Sequence, residues 1–145
     1  MDTINRTRTV GNSPAVTYAR IFGIVLTLVG ILGLLVNAEQ DSVESLLGFD
    51  VNLTHNLVHL ATGVLGLIVG FKVLSQARTY AIVLGVVYTA LGIWGLTAGD
   101  GFDPFDLFVN INPADHVLHL AIGILGIGAF IASKSRDNDL DRDRV

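Results

Sequence analysis

The 145-residue chain contains no cysteine, which excludes disulfides, thiolate metal sites and thiol nucleophiles together. Charge is scarce, at 15%, and the 9 Lys and Arg form no patch interleaved with aromatics, so the footprint of a nucleic-acid binder is missing. No GxSxG elbow, Walker loop, HExxH helix or pair of catalytic carboxylates within an apolar run occurs, and an enzymatic role has no motif behind it. What remains is apolar. Hydrophobic residues make up 51% and the mean hydropathy is +0.61, too high for a soluble domain of this length.

Four apolar runs are each about long enough to cross a ~30 Å hydrocarbon layer at about 1.5 Å per residue. They predict helices over about 18–36, 53–74, 80–98 and 113–132. Residues 1–16 lack the apolar core and small-residue cleavage site of a signal peptide and read as a flexible tail. Residues 134–145 alternate Arg and Asp without an apolar stripe and read as a disordered charged tail. Residues 37–50 carry Glu39, Asp41, Glu44 and Asp50 and form an acidic loop, with a short helical turn expected near 43–47. The second acidic loop, 99–111, holds Phe102, Phe105 and Phe108, placed for an interfacial aromatic belt. Its Asp100, Asp103 and Asp106 lack calcium-loop spacing and read as a solvated turn.

Every Lys and Arg falls in the N-terminal tail and the start of helix one, in the turn between helices two and three, or in the C-terminal tail, whereas both loops on the other side carry acids alone. The positive-inside rule therefore predicts cytoplasmic termini and outward-facing acidic loops.

The sequence also repeats. Asn52, His59, Leu60, Ala61, Gly63, Leu65 and Gly66 return as Asn112, His119, Leu120, Ala121, Gly123, Leu125 and Gly126, at an offset of 60 (119 − 59). Tyr18, Gly23, Thr27, Gly30 and Gly33 return as Tyr80, Gly85, Thr89, Gly92 and Gly95, at an offset of 62 (80 − 18). The expected fold is all-α: an integral membrane four-helix bundle made by tandem duplication of a two-helix transmembrane hairpin, residues 17–74 and 75–133. Glycines at helical spacing read as helix seams, because small residues let backbones approach where lipid gives no hydrophobic drive to pack.

Asn52 and Asn112 are read as helix caps, with Pro113 at the first helical position and Asp115 in the first turn. Asn52-Leu53-Thr54 also matches a glycosylation sequon, but cap chemistry explains it as well. All four histidines follow these caps. His59 and His119 lie about seven residues in, roughly 10 Å along the helix, where an ionisable group requires an interior partner. His55 shares a face with His59 at i, i+4, and His116 shares one with His119 at i, i+3. Three chemistries fit this pattern: neutral histidines bonded across a seam, haem ligation by His59 and His119, or a divalent metal held among His55, His59, Asp115, His116 and His119.

The segments Leu46-Leu47-Gly48-Phe49-Asp50-Val51-Asn52, His55-Asn56-Leu57-Val58-His59, Ala77-Arg78-Thr79-Tyr80, Leu84-Gly85-Val86-Val87-Tyr88 and Asp115-His116-Val117-Leu118-His119-Leu120 carry a resemblance. With them the chain resembles the bacterial four-helix membrane family catalogued as domain of unknown function 4383, over about residues 18–132. The resemblance implies a small integral protein of a bacterial cytoplasmic membrane and implies no activity. The expectation is a non-enzymatic structural or accessory subunit with an outward-facing histidine site, partnered by the bilayer and by a larger membrane complex or further copies of itself. The alternative is a haem- or divalent-metal-binding protein in electron transfer or sensing.

Overall fold

The computed structural model describes residues 13–98 and 112–142, with side chains described as far as Ser133. The expected aromatic belt at Phe102, Phe105 and Phe108, its neighbouring acids and residues 1–12 of the N-terminal tail lie outside the described residues. In chain order the elements are α1 (Pro14–Val36), β1 (Glu44–Leu46), β2 (Phe49–Val51), α2 (Leu53–Phe71), a 3-10 turn (Leu74–Gln76), α3 (Ala77–Ala98) and α4 (Pro113–Arg142). Among the described residues, four helices are long and apolar enough to cross a membrane, as the hydropathy pattern predicts.

Four helix ends, counting the start of α3 at Ala77 rather than near 80, differ from their expected places. α1 begins four residues before Tyr18, because Ser13 Oγ accepts the Val16 N–H at 3.3 Å and Pro14 occupies a first-turn position that needs no donor. α2 stops at Phe71, and a 3-10 turn carries the chain into α3. α4 runs to Arg142 instead of ending near Ala132. Residues 134–142 contain neither Gly nor Pro, and extending an existing helix needs no new nucleus.

Where a helical turn is expected near 43–47, the chain forms a β-hairpin. β1 and β2 run antiparallel with Glu44 opposite Val51, Ser45 opposite Asp50 and Leu46 opposite Phe49. The two turn residues, Leu47 and Gly48, have φ of 57° and 90°. Positive φ at both central positions matches the twist of tight hairpins.

The helices bury small and polar faces and turn large apolar ones outward. In α1 the buried set is Ala15, Val16, Tyr18, Ala19, Gly23, Leu26, Gly30 and Gly33, a stripe at three- and four-residue spacing. Ile21, Leu28, Leu35 and, on other helices, Val86 and Ile124 are more than 40% exposed. Lipid solvates such side chains as well as a protein core would, so burying them gains little.

α1 packs along α2, and α3 along α4. A Cβ built on Gly30 would lie 2.6 Å from Leu60 N, and one on Gly92 2.7 Å from Leu120 N. At Gly23 and Gly85 the nearest atoms would be Leu67 N at 2.7 Å and Ile127 N at 2.8 Å. These four close approaches follow the 62- and 60-residue offsets, as do the bonds that join the two helix pairs. Tyr18 Oη donates to Ile122 O at 3.1 Å, and Tyr80 Oη donates to Thr62 O at 3.1 Å. At the opposite end from the hairpin, Ser133 Oγ accepts the Ala15 N–H at 2.9 Å and ties α4 to the start of α1.

Gly30→Ala and Gly92→Ala each push a methyl group into the facing backbone, and each is expected to cost about 1–3 kcal/mol. A Cβ at Gly128 meets nothing within 4 Å, so Gly128→Ala should be neutral or stabilising by up to about 1 kcal/mol. Equilibrium unfolding in detergent measures all three.

Candidate functional site

The end of the bundle where α2 and α4 begin is built by two asparagines. Asn52 is extended (φ −139°, ψ 176°), and its Oδ1 accepts the His55 N–H at 2.9 Å, which starts α2. Asn112 Oδ1 accepts from Ala114 N at 2.9 Å and Asp115 N at 3.2 Å, which starts α4. Both residues act as the caps read from the sequence. Asn52 is 3% exposed with its side chain engaged, which suits a cap rather than a glycosylation acceptor. Each cap places the third helical residue, His55 or Asp115, at the start of a buried face, with His59 or His119 one turn deeper.

Those faces bring three of the four histidines together. His55, His59 and His119 each offer a ring nitrogen within 4.8 Å of the others, and all three are buried. Ring centroids lie 4.3 Å apart for His55 and His59, 5.7 Å for His55 and His119, and 5.9 Å for His59 and His119. The last pair joins α2 to α4, so the cluster bridges the two helix pairs. Tyr88 of α3 closes one side, lying parallel to His59 at 6.3 Å and edge-on to His119 at 5.1 Å. Sequence spacing alone does not mark Tyr88 as part of a site. The signal available is the offset: Tyr88 stands where α1 has Leu26, on the same buried stripe.

The β-hairpin fixes the protonation of His55. Its Nδ1 lies 2.8 Å from Asp50 O, and a carbonyl only accepts, so Nδ1 carries the proton and the lone pair of the neutral ring sits on Nε2. Asp50 in turn donates its N–H to Asp115 Oδ2 at 2.9 Å, and Asn112 Nδ2 donates to Gly48 O at 2.9 Å. The hairpin begun from the first helix pair is thus bonded to the start of α4. Asn37 holds its base, donating from Nδ2 to Ser42 O and Val51 O, both at 3.0 Å.

His59 Nδ1 and His119 Nδ1 are buried without a hydrogen-bond partner among the described residues. Leaving such a group unsatisfied costs on the order of 1–3 kcal/mol, and in native proteins a bound ion or an ordered water commonly meets it.

The remaining candidates lie elsewhere. His116 is 2% exposed and packs in the seam of α3 and α4, where a Cβ at Gly95 would overlap its ring. Asn56, at the corresponding place in α2, is fully buried against Gly33 and donates to Asn37 O at 2.8 Å. Neither residue reaches out toward headgroups. Asp115 is 2% exposed and is joined to the cluster through Asp50, not by direct convergence.

The geometry separates the two cofactor chemistries. Haem between His59 and His119 requires a flat slot wider than an imidazole. His55 against one ring and Tyr88 against the other close the flanks of that space, so the residues present do not fit a porphyrin. A single ion needs three nitrogens that can close on one point, and ring nitrogens within 4.8 Å of one another form such a group.

The family model described as domain of unknown function (DUF4383) matches residues 16–132. No curated protein and no solved structure matches the chain.

Asn112→Asp keeps the acceptor that caps α4 but removes the donor to Gly48. The expected result is faster amide hydrogen exchange in the β-hairpin with unfolding of the bundle changed by less than about 0.5 kcal/mol, since the lost bond is exposed.

Proposed function

We propose, for a chain that belongs to the DUF4383 family, a non-enzymatic role: a small multi-pass protein of the bacterial cytoplasmic membrane that holds a divalent transition-metal ion, such as zinc or copper, between its two helix pairs. The observation that carries this reading is the convergence of His55, His59 and His119, drawn from both pairs and buried, with ring nitrogens within 4.8 Å of one another. Imidazole is the commonest protein ligand for zinc, copper and nickel, and binding draws on its neutral form. The His55–Asp50 bond supports the reading, because ligating histidines commonly donate their second ring N–H to a carbonyl or carboxylate that orients the ring.

Several features frame the role. The offsets of 60 and 62, with matching glycine approaches and matching tyrosine bonds, support an origin by tandem duplication of a two-helix hairpin. Duplication gives two histidine-bearing helices that meet near one axis along the membrane normal. The distribution of Lys and Arg supports cytoplasmic termini, and with that topology the metal centre faces outward beneath the β-hairpin. With no catalytic constellation in the sequence, the ion serves as a structural brace or a sensed ligand, in an accessory subunit of a larger membrane complex or a homo-oligomer.

Purified protein should take up one zinc or copper ion per chain and gain thermal stability on loading, by about 2.7 kcal/mol at a free-ion concentration 100 times the dissociation constant. His59→Ala and His119→Ala should abolish both effects. A chain that remains metal-free and unstabilised at saturating zinc and copper contradicts the proposal and leaves the histidines as interhelical packing.

A further inference from the structure

Three imidazoles leave an ion such as zinc one ligand short of the four it takes in a closed structural site. We infer that Asp115 is the fourth ligand, a carboxylate that passes from the Asp50 N–H to the ion on loading and thereby couples the metal centre to the β-hairpin. The inference rests on the metal-binding reading above and extends it to the complete ligand set.

Position is the first argument. In the 60-residue register Asn52 corresponds to Asn112, His55 to Asp115, Asn56 to His116 and His59 to His119. The contacts follow that register. Asn56 packs against Gly33 as His116 packs against Gly95, and Leu60 against Gly30 as Leu120 against Gly92. His59 and His119 are one corresponding pair, and both reach the cluster. His55 also reaches it, from the first turn of α2, one turn above His59. Its counterpart, one turn above His119 at the same distance from its own cap, is Asp115. Of the two places flanking the central pair, one is filled by an imidazole and the other by a carboxylate.

Connection is the second argument. Asp115 Oδ2 accepts the Asp50 N–H at 2.9 Å, and Asp50 O accepts the His55 Nδ1–H at 2.8 Å. One backbone residue therefore separates the carboxylate from a ligand of the ion. Asp115 is 2% exposed, so water does not solvate its charge.

Charge is the third argument. Three neutral imidazoles would leave the full double charge of a divalent ion in a site whose ligands are 3–5% exposed. Burying charge is costly unless it is paired, and one carboxylate halves the net charge. No Lys or Arg occurs between residues 21 and 71 or between 79 and 133, so the hairpin end has no other fixed positive charge to which Asp115 is matched.

On loading, an Asp115 oxygen forms a coordinate bond to the ion and releases the Asp50 N–H. Asp50 is half-buried, so its amide can turn to solvent. The His55–Asp50 bond persists, while the tie between β2 and α4 through Asp115 is lost. The hairpin is therefore looser in the loaded protein, and metal occupancy is readable on the surface of the bundle.

Cobalt(II) titration of the full chain in detergent, followed by zinc competition, tests this, because tetrahedral cobalt(II) has far stronger visible bands than six-coordinate cobalt(II). Asp115→Asn keeps an acceptor for the Asp50 N–H at nearly equal volume. It should bind at least about 100-fold more weakly than the native chain and lose the tetrahedral spectrum, a loss at or beyond the upper end of the effect of removing an outer-shell partner. Asp115→His, which places at 115 the residue found at 55, should restore the tetrahedral spectrum but, with no carboxylate to halve the charge, bind with an affinity between those of Asp115→Asn and the native chain. Loading should also speed hydrogen exchange at the Asp50 amide in the native chain and leave it unchanged in Asp115→Asn. An Asn variant that binds cobalt with native affinity and spectrum overturns the inference while leaving a three-histidine centre. A native chain that binds neither cobalt nor zinc overturns the metal reading itself.

Discussion

The close approach of backbones at glycine is the constraint on which the rest of the bundle depends. Within lipid, burying a leucine gains little, so helices associate through short-range contact and interhelical hydrogen bonds. Gly23 and Gly30 of α1 bring α2 so near that a methyl group would collide with its main chain, and Gly85 and Gly92 do the same for α3 and α4. That proximity fixes the rotation and depth of α2 and α4, and hence which side chains face inward. The same closeness lets Tyr18 and Tyr80 reach backbone carbonyls across the two helix pairs.

The histidine cluster is a consequence of this geometry rather than a local motif. No single helix contains it: His55 and His59 come from α2, His119 from α4, and Tyr88 from α3 packs against two of the rings. The caps at Asn52 and Asn112 set both faces in phase, since each counts the same number of residues to its deeper histidine (59 − 52 = 119 − 112). A polar cluster so placed is costly if incompletely satisfied, which gives the two unpartnered ring nitrogens their significance. The β-hairpin adds a layer that touches both helix pairs, through Asn37 and His55 on one side and Asn112 and Asp115 on the other.

Much of this was legible in the sequence because it rests on periodicity. The four spans, the glycine seams and both asparagine caps follow from spacing alone. The start of α1 was legible too, in Ser13-Pro14, but the apolar run beginning near Tyr18 is the louder signal. The β-hairpin was not. Its strands are three residues long, and its turn is Leu47-Gly48, without the Asn or Asp that usually marks positive φ at the first position. Sequence spacing also treats His55 and His116 alike, since each is close to a deeper histidine on its own helix. They differ because His116 faces Gly95 in a seam while His55 turns toward the centre under Asp50. That distinction lies in helix rotation, which a one-dimensional pattern does not carry.

The central claim is that histidines from both helix pairs ligate one ion. X-ray absorption of the zinc-loaded full chain in lipid measures this directly, because imidazoles have a characteristic outer-shell scattering pattern. The account predicts a four-coordinate zinc with three imidazole nitrogens and one oxygen at about 2.0–2.1 Å. A zinc ion with fewer than three imidazoles, a number α2 alone could supply, or one bound only by oxygen, would contradict it.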